Sequence, residues 1–288
     1  MKKVSRRNFI GHASLGLGSV WMLSQLPISA EAKTFLSANN YNIGFQTFTI
    51  RDRLAKDFSG TLKTMSGMGY KTVEMCSPSG YAAWGFGPLA PLSGSEIKKI
   101  INDAGLVCPS CHFGWGEMQT KLDDRIEFAK QLGLSYMICS TFGLPKTATL
   151  KDYQNAAAIY NKIAEKISAA GMQAGFHNHD MEFASLEGAL IYDSLMQAFD
   201  PKLVKMQFQT EVINLGYKAA TYFNKYPGRF ISAHMSDWTK EKKEVPIGQG
   251  VIDWKEFFAA APVGGVKTLF VEMDMNTYQD SVKYIAGL

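Results

Sequence analysis

The sequence predicts an α/β chain folded as a closed (β/α)8 barrel, and three observations carry that reading. Short runs rich in β-branched and aromatic residues alternate with longer helical patterns along the chain, which implies a parallel sheet. Eight such units fit in about 250 residues, the usual length of such a barrel. Several helical patterns stop on glycine just before the next strand: Met68-Gly69, Ala104-Gly105, Leu132-Gly133 and Ala170-Gly171. Glycine accepts the left-handed conformation of a helix end at little cost. An open doubly wound sheet is the alternative, but it carries a glycine-rich phosphate loop after its first strand. Here Thr49-Ile50-Arg51-Asp52 follows Phe48, and that loop is absent.

The strands are expected at Asn42–Phe48, Thr72–Met75, Val107–Cys111, Tyr136–Ser140, Gln173–His177, Leu203–Phe208, Phe230–His234 and Thr268–Glu272. Each is a short apolar run bounded by turn residues. Helical periodicity fills the intervals near 53–69, 94–104, 120–132, 149–170, 187–199, 216–226, 252–261 and 277–287. No linker or low-complexity segment interrupts them, so residues 33–288 read as one barrel domain.

The N-terminus reads as an address. Lys2 to Arg7 is positive, Phe9 to Leu26 is mostly apolar or small, and Ala30-Glu31-Ala32 offers small residues two apart. Ser5-Arg6-Arg7-Asn8-Phe9-Ile10 resembles the twin-arginine export signal. Residues 1–32 are therefore expected to be a cleaved signal, which makes the mature protein exported and periplasmic. An uncut membrane anchor is the alternative, although the stretch is short and glycine-rich for a span. No later run approaches a membrane-spanning length, so no membrane partner is expected after signal removal.

Composition narrows the function classes. With 46% hydrophobic and 19% charged residues, the 288-residue chain is neither a disordered tail, a collagen-like repeat nor a disulfide miniprotein. Of its 30 basic and 26 acidic residues, four and one lie in the leader, so the mature chain is near neutrality. That leaves no electrostatic footprint for nucleic acid. Cys108-Pro109-Ser110-Cys111 has the spacing of a redox dithiol, but it closes an extended run instead of opening a helix. It reads as small buried thiols at a strand end, with a disulfide formed after export as the alternative.

In a barrel of this kind the active site lies at the C-terminal ends of the strands. Gln46 ends strand one, Glu74 strand two and His112 strand three. His177-Asn178-His179-Asp180 ends strand five, Gln207-Phe208-Gln209-Thr210-Glu211 strand six, His234-Met235-Ser236-Asp237 strand seven and Glu272 strand eight. All four histidines of the mature chain fall at these ends. His177 and His179, two apart, point to one face, and with His234 and Glu272 they make an N/N/N/O set able to hold Zn, Mn, Co or Fe. Such an ion polarises a carbonyl and acidifies the adjacent C–H. Glu272 is then the candidate base, with His177 or Glu74 as the opposing acid. His112 is expected to face substrate. Trp84, Trp115 and Trp238 lie in rim loops, where aromatic faces suit the apolar face of a sugar ring. No G-x-S-x-G elbow or Walker loop is present. A retaining glycosidase pair formed by Glu74 and Glu272 stays open.

These residues carry a family resemblance. Gly44-Phe45-Gln46-Thr47-Phe48-Thr49-Ile50-Arg51-Asp52, His177-Asn178-His179-Asp180-Met181-Glu182-Phe183, Gly248-Gln249-Gly250-Val251-Ile252-Asp253-Trp254 and Phe270-Val271-Glu272 are similar to stretches of the sugar phosphate isomerase/epimerase superfamily. These are the xylose isomerase-like TIM barrels. The chain most resembles their exported, twin-arginine-bearing branch, over about residues 41–288. The resemblance implies a divalent metal (Mn, Zn, Co or Mg) held by His177, Gln209, His234 and Glu272. With the strand-end reading, the expected catalytic residues are Glu272, His177 and Glu74, and the expected substrate contacts are His112, His179, Gln46, Trp115 and Asp237. The reaction would be isomerisation, epimerisation or elimination of a sugar, keto-sugar or cyclitol. Relatives often pair as dimers or tetramers, so a homo-oligomer is compatible. Two departures stand at the centre: Gln209 where relatives carry Asp, and Ser236 where they carry Lys. They leave a non-catalytic carbohydrate-binding barrel with a degenerate metal site as the second reading. Phosphodiester cleavage, as in the barrel's endonuclease relatives, fits poorly with the near-neutral charge.

Overall fold

The computed structural model describes residues 41–288, so the expected signal at residues 1–32 lies outside the described residues. Eight parallel strands close into a barrel: β1 (Ile43–Gln46), β2 (Thr72–Cys76), β3 (Val107–Phe113), β4 (Tyr136–Cys139), β5 (Gln173–His177), β6 (Val204–Gln209), β7 (Phe230–Met235) and β8 (Thr268–Val271). Neighbours in sequence are neighbours in the sheet, and β1 closes the ring by pairing with both β2 and β8. All four glycines read as stop signals take positive φ, between 78° and 115°.

The differences from the expected elements have local causes. The helix expected over 53–69 is two helices, Arg51–Lys56 and Phe58–Met68. Asp57 separates them, because its side chain accepts from Gly60 N and caps the second. The helix expected to start at 187 starts at Ile191. Glu187 and Gly188, both at positive φ, turn a small hairpin ahead of it. After β6 the chain winds into a 3-10 turn, Thr210–Leu215, before the helix Ala219–Lys225. Glu211 therefore leaves the strand instead of continuing its face. β3 runs on to Phe113, which brings His112 inside the ladder. β8 stops at Val271, which leaves Glu272 as the first residue beyond it.

What makes the interior unusual is its polarity. Barrels of this type generally fill their interior with layers of bulky branched side chains. Here Glu74 registers with Ser110, and Gln207 with Ser232, one step below the strand ends. Two residues further on, alternation returns Cα–Cβ bonds to the same face, placing His112, Gln209 and His234 above them. Glu74, Ser110, His112, His177, Gln207, Gln209, Ser232 and His234 are all buried. A polar layer of that depth is costly wherever it is not hydrogen-bonded.

Among the described residues, no helix is long and apolar enough to cross a membrane.

Candidate active site

Glu74 is the floor of the site. Its Oε1 accepts from Ser110 Oγ (2.5 Å) and Gln207 Nε2 (2.8 Å). Its Oε2 faces His112 Nε2 at 3.1 Å and His234 Nε2 in a short hydrogen bond. Gln207 completes the layer by donating to Ser232 Oγ (2.9 Å) and meeting His112 Nε2 through its Oε1 (2.6 Å). Burial by itself raises the Glu74 carboxyl, but the charges of His112 and His234 and their hydrogen bonds outweigh it and hold it below the usual carboxylate range.

Above this floor stand the residues of β5 to β8. His234 Nδ1 lies 2.8 Å from Glu272 Oε2, and Gln209 Nε2 donates to the same oxygen at 2.7 Å. The His177 ring lies 4.4 Å from that of His234, centroid to centroid. The structure thus brings Gln209, His234 and Glu272 together at Glu272 Oε2, with the His177 ring packed against that of His234. Burial opposes a charge on His234, yet the carboxylates of Glu272 and Glu74 on its two nitrogens raise it to about 10. Burial likewise opposes the Glu272 charge, and His234 more than compensates, so Glu272 stays ionised. His177 goes the other way: burial first, then the neighbouring histidines, hold it well below its ordinary value and neutral. Burial also lowers His179.

His112, His177, His179 and Glu272 open onto a cavity of about 350 Å³, whose far wall is Phe48, Tyr81 and Trp84 with Ser140 and Thr141 beside them. Phe48 and Tyr81 meet edge to face at 6.2 Å, while Trp84 is 61% exposed on the rim. Among the described residues, no Lys or Arg lines this cavity. Arg51, at the start of the helix after β1, is engaged elsewhere: it donates to Phe48 O (2.7 Å) and lies 4.5 Å over the Phe48 ring.

Six of the expected site residues do not line the cavity: Gln209 and His234, which bond Glu272, and Asp237, Trp115, Gln46 and Glu74, which are engaged elsewhere. Asp237 is fully buried. Its Oδ1 accepts from Trp238 N (3.0 Å) and Ile252 N (3.3 Å), and its Oδ2 from Gly248 N (2.9 Å), Gly250 N (3.1 Å) and Trp254 Nε1 (2.9 Å). With both oxygens saturated it anchors the 248–254 loop and has nothing left for a substrate. Trp115 stacks edge-on against Phe142 and Tyr160 and lines a different cleft. Gln46 is spent at the end of β1, donating to Cys76 Sγ (3.4 Å) and accepting from Phe48 N. Glu74 lies beneath the histidines, so it acts on them and not on substrate. The cysteines are free and buried. No disulfide joins Cys108 to Cys111, which flank and follow an irregular step in the β2–β3 pairing.

Sequence reasoning puts Gln207 at the end of strand six without a role and misses Ser110 and Ser232, although each stands two residues before a site residue on its strand. That spacing is the signal that could have found them. It also misses Ser140 and Thr141, just past β4, because that strand end carries no charge.

The residues present fit a divalent metal. His177 Nδ1 and His179 Nδ1 are buried and, among the described residues, have no hydrogen-bond partner. Nitrogens of His112, His177 and His234 lie within 4.8 Å of one another, so three buried imidazoles could hold an ion. Imidazole-rich sets suit Zn, Mn or Co better than Mg.

Comparison with known proteins agrees with this architecture. No curated protein matches the chain significantly. Among solved structures the chain is similar to two sugar phosphate isomerase/epimerase structures from Parabacteroides distasonis. The first is 22% identical over 86% of this chain and 94% of that one, with a TM-score of 0.72. The second is 25% identical over 85% and 96%, with a TM-score of 0.69. The chain is also similar in fold to the IOLI protein, a structure with a bound zinc atom. That match is 11% identical and covers 85% of this chain and 95% of that one, with a TM-score of 0.62. A family model for the xylose isomerase-like TIM barrel matches residues 62–285, and the chain belongs to that family.

Proposed function

We propose that this chain is a metal-assisted proton-transfer enzyme that isomerises, epimerises or dehydrates an unphosphorylated sugar, keto-sugar or cyclitol. The observation that carries the reading is the meeting of Gln209, His234 and Glu272, with His177 packed against His234, beside an aromatic-sided cavity that His177 and Glu272 line. A divalent ion held by His177, His234 and Glu272, with the Gln209 amide turned to present its oxygen, would polarise a substrate carbonyl and acidify the neighbouring C–H. Glu272, held ionised at the cavity wall, takes that proton. His112 faces it from three strands away around the barrel, and with His179 it is placed to return the proton from the other side. His177, held neutral, serves as a ligand in this scheme and not as the acid. Phe48, Tyr81 and Trp84 give the apolar face of a ring its platform, and the Ser140 and Thr141 hydroxyls meet its polar edge. The absence of Lys and Arg from the lining favours a substrate without phosphate.

A second reading, a carbohydrate-binding barrel without turnover, is favoured by one feature. Gln209 and His234 both close on Glu272 Oε2, so these three side chains are paired without an ion. Proton exchange in heavy water separates the two. Keto-sugars and keto-cyclitols are incubated with metal-supplemented protein, and deuterium entry next to the carbonyl is followed by NMR. The enzyme reading expects exchange with at least one compound and its loss in Glu272→Gln. Binding of sugars with no exchange by any of them supports the second reading. Export to the periplasm, cleavage of residues 1–32 and self-association remain part of the proposal on the sequence alone.

A further inference from the structure

We propose that Glu74 is a positioning residue for the metal: through His234 it supplies the second negative charge that the donor set lacks. This inference rests on the metal-binding reading above. The donors on β5 to β8 are two imidazoles, one amide and one carboxylate, so a divalent ion there is left with one uncompensated charge. Buried charge must be paired or ligated. Glu74 is the complementary case, a fully buried carboxylate with no Lys or Arg against it among the described residues. Its charged neighbours are imidazoles alone, and its remaining donors, Ser110 Oγ and Gln207 Nε2, are neutral.

Geometry connects the two deficits. His234 presents Nε2 to Glu74 and Nδ1 to Glu272. With Glu74 accepting the Nε2 proton, Nδ1 carries the lone pair and points to the place where Glu272 and Gln209 already meet. A carboxylate behind a ligating histidine fixes ring orientation and tautomer and raises ligand basicity. Glu74 is itself aimed by Ser110 and Gln207, so the polar layer under the histidines becomes a device for one ring nitrogen. Glu74 touches no substrate, since the imidazoles of His112 and His234 cover it.

The test is metal affinity, measured by chelator competition with Zn and Mn, on the wild type, Glu74→Gln, Gln209→Glu and the double variant, with thermal melts of each. We expect Glu74→Gln to weaken binding on the order of 10- to 100-fold. Gln209→Glu, which adds the charge directly, should tighten it and recover most of the loss in the double variant. A folded Glu74→Gln with wild-type affinity overturns the inference. Should Glu74→Gln fail to fold, the single Gln209→Glu variant decides: tighter binding supports the charge deficit, and unchanged affinity overturns it. A wild-type protein that binds neither metal overturns the metal-binding reading itself, a result distinct from the other two.

Discussion

Replacing Asp237 by alanine should destabilise the protein without touching its chemistry. Five N–H donors from residues 238, 248, 250, 252 and 254 converge on the two carboxylate oxygens at 2.9 to 3.3 Å. Each bond to a charged acceptor is worth about 1.5–3 kcal/mol alone, but the five share one group and cannot add. Gly248 is exposed and would rehydrate, whereas the Trp254 indole is buried and would be left without a partner. One buried orphan plus the partly replaced loop bonds amounts to roughly 3–5 kcal/mol. For a domain of this size that is a fall in Tm of roughly 6–20 °C. Gly250→Ala offers an independent route to the same knot, since a methyl there would meet Asp237 Oδ1 at 2.1 Å. The assay is a thermal melt beside ligand titration. If Asp237→Ala melts within about 2 °C of wild type, a shift of under roughly 1 kcal/mol, while losing ligand affinity, the carboxylate binds substrate and the anchoring argument is wrong.

Other perturbations follow from the same geometry. Metal-free protein should lose stability as pH rises. His234 is raised from an ordinary 6.5 to about 10, so its contribution is fully present below pH 6.5 and disappears as pH passes toward 10. Melts in a chelator should fall across that window, and a flat profile would show that His234 is not held between two charges. Trp84→Ala should weaken sugar binding by roughly 3- to 10-fold, the scale of a lost aromatic contact, with Tm unchanged because the side chain is 61% exposed; undiminished affinity would remove it from the site. The four thiols should resist a water-soluble thiol reagent until denaturant is added, because all four are buried and free; rapid labelling of the native protein would contradict their burial.

Much of the barrel can be read directly because strand ends, helix stops and the histidines repeat with one period. His177, Gln209, His234 and Glu272 are legible for the same reason: each marks where an apolar run meets polar residues. Depth is harder. Period-two alternation tells which face a side chain takes but not how far along the barrel axis it sits, so Glu74 reads as a rim residue although it lies a layer below. Asp237 fails differently. It stands at a strand end like the others, yet most of its partners are N–H groups ten or more residues away, and only the path of the 248–254 loop brings them to it. Trp115 and Trp84 look alike in sequence; contact with Phe142 and Tyr160 absorbs the first, and the second is left on the rim.

The central claim is that β5 to β8 deliver His177, Gln209, His234 and Glu272 to a single ion. Anomalous diffraction from crystals grown with Mn or Zn measures that directly. The account predicts one strong peak at about 2.0–2.3 Å from His177 Nδ1, His234 Nδ1 and a Glu272 oxygen. No peak, or a peak held by other side chains, would contradict it.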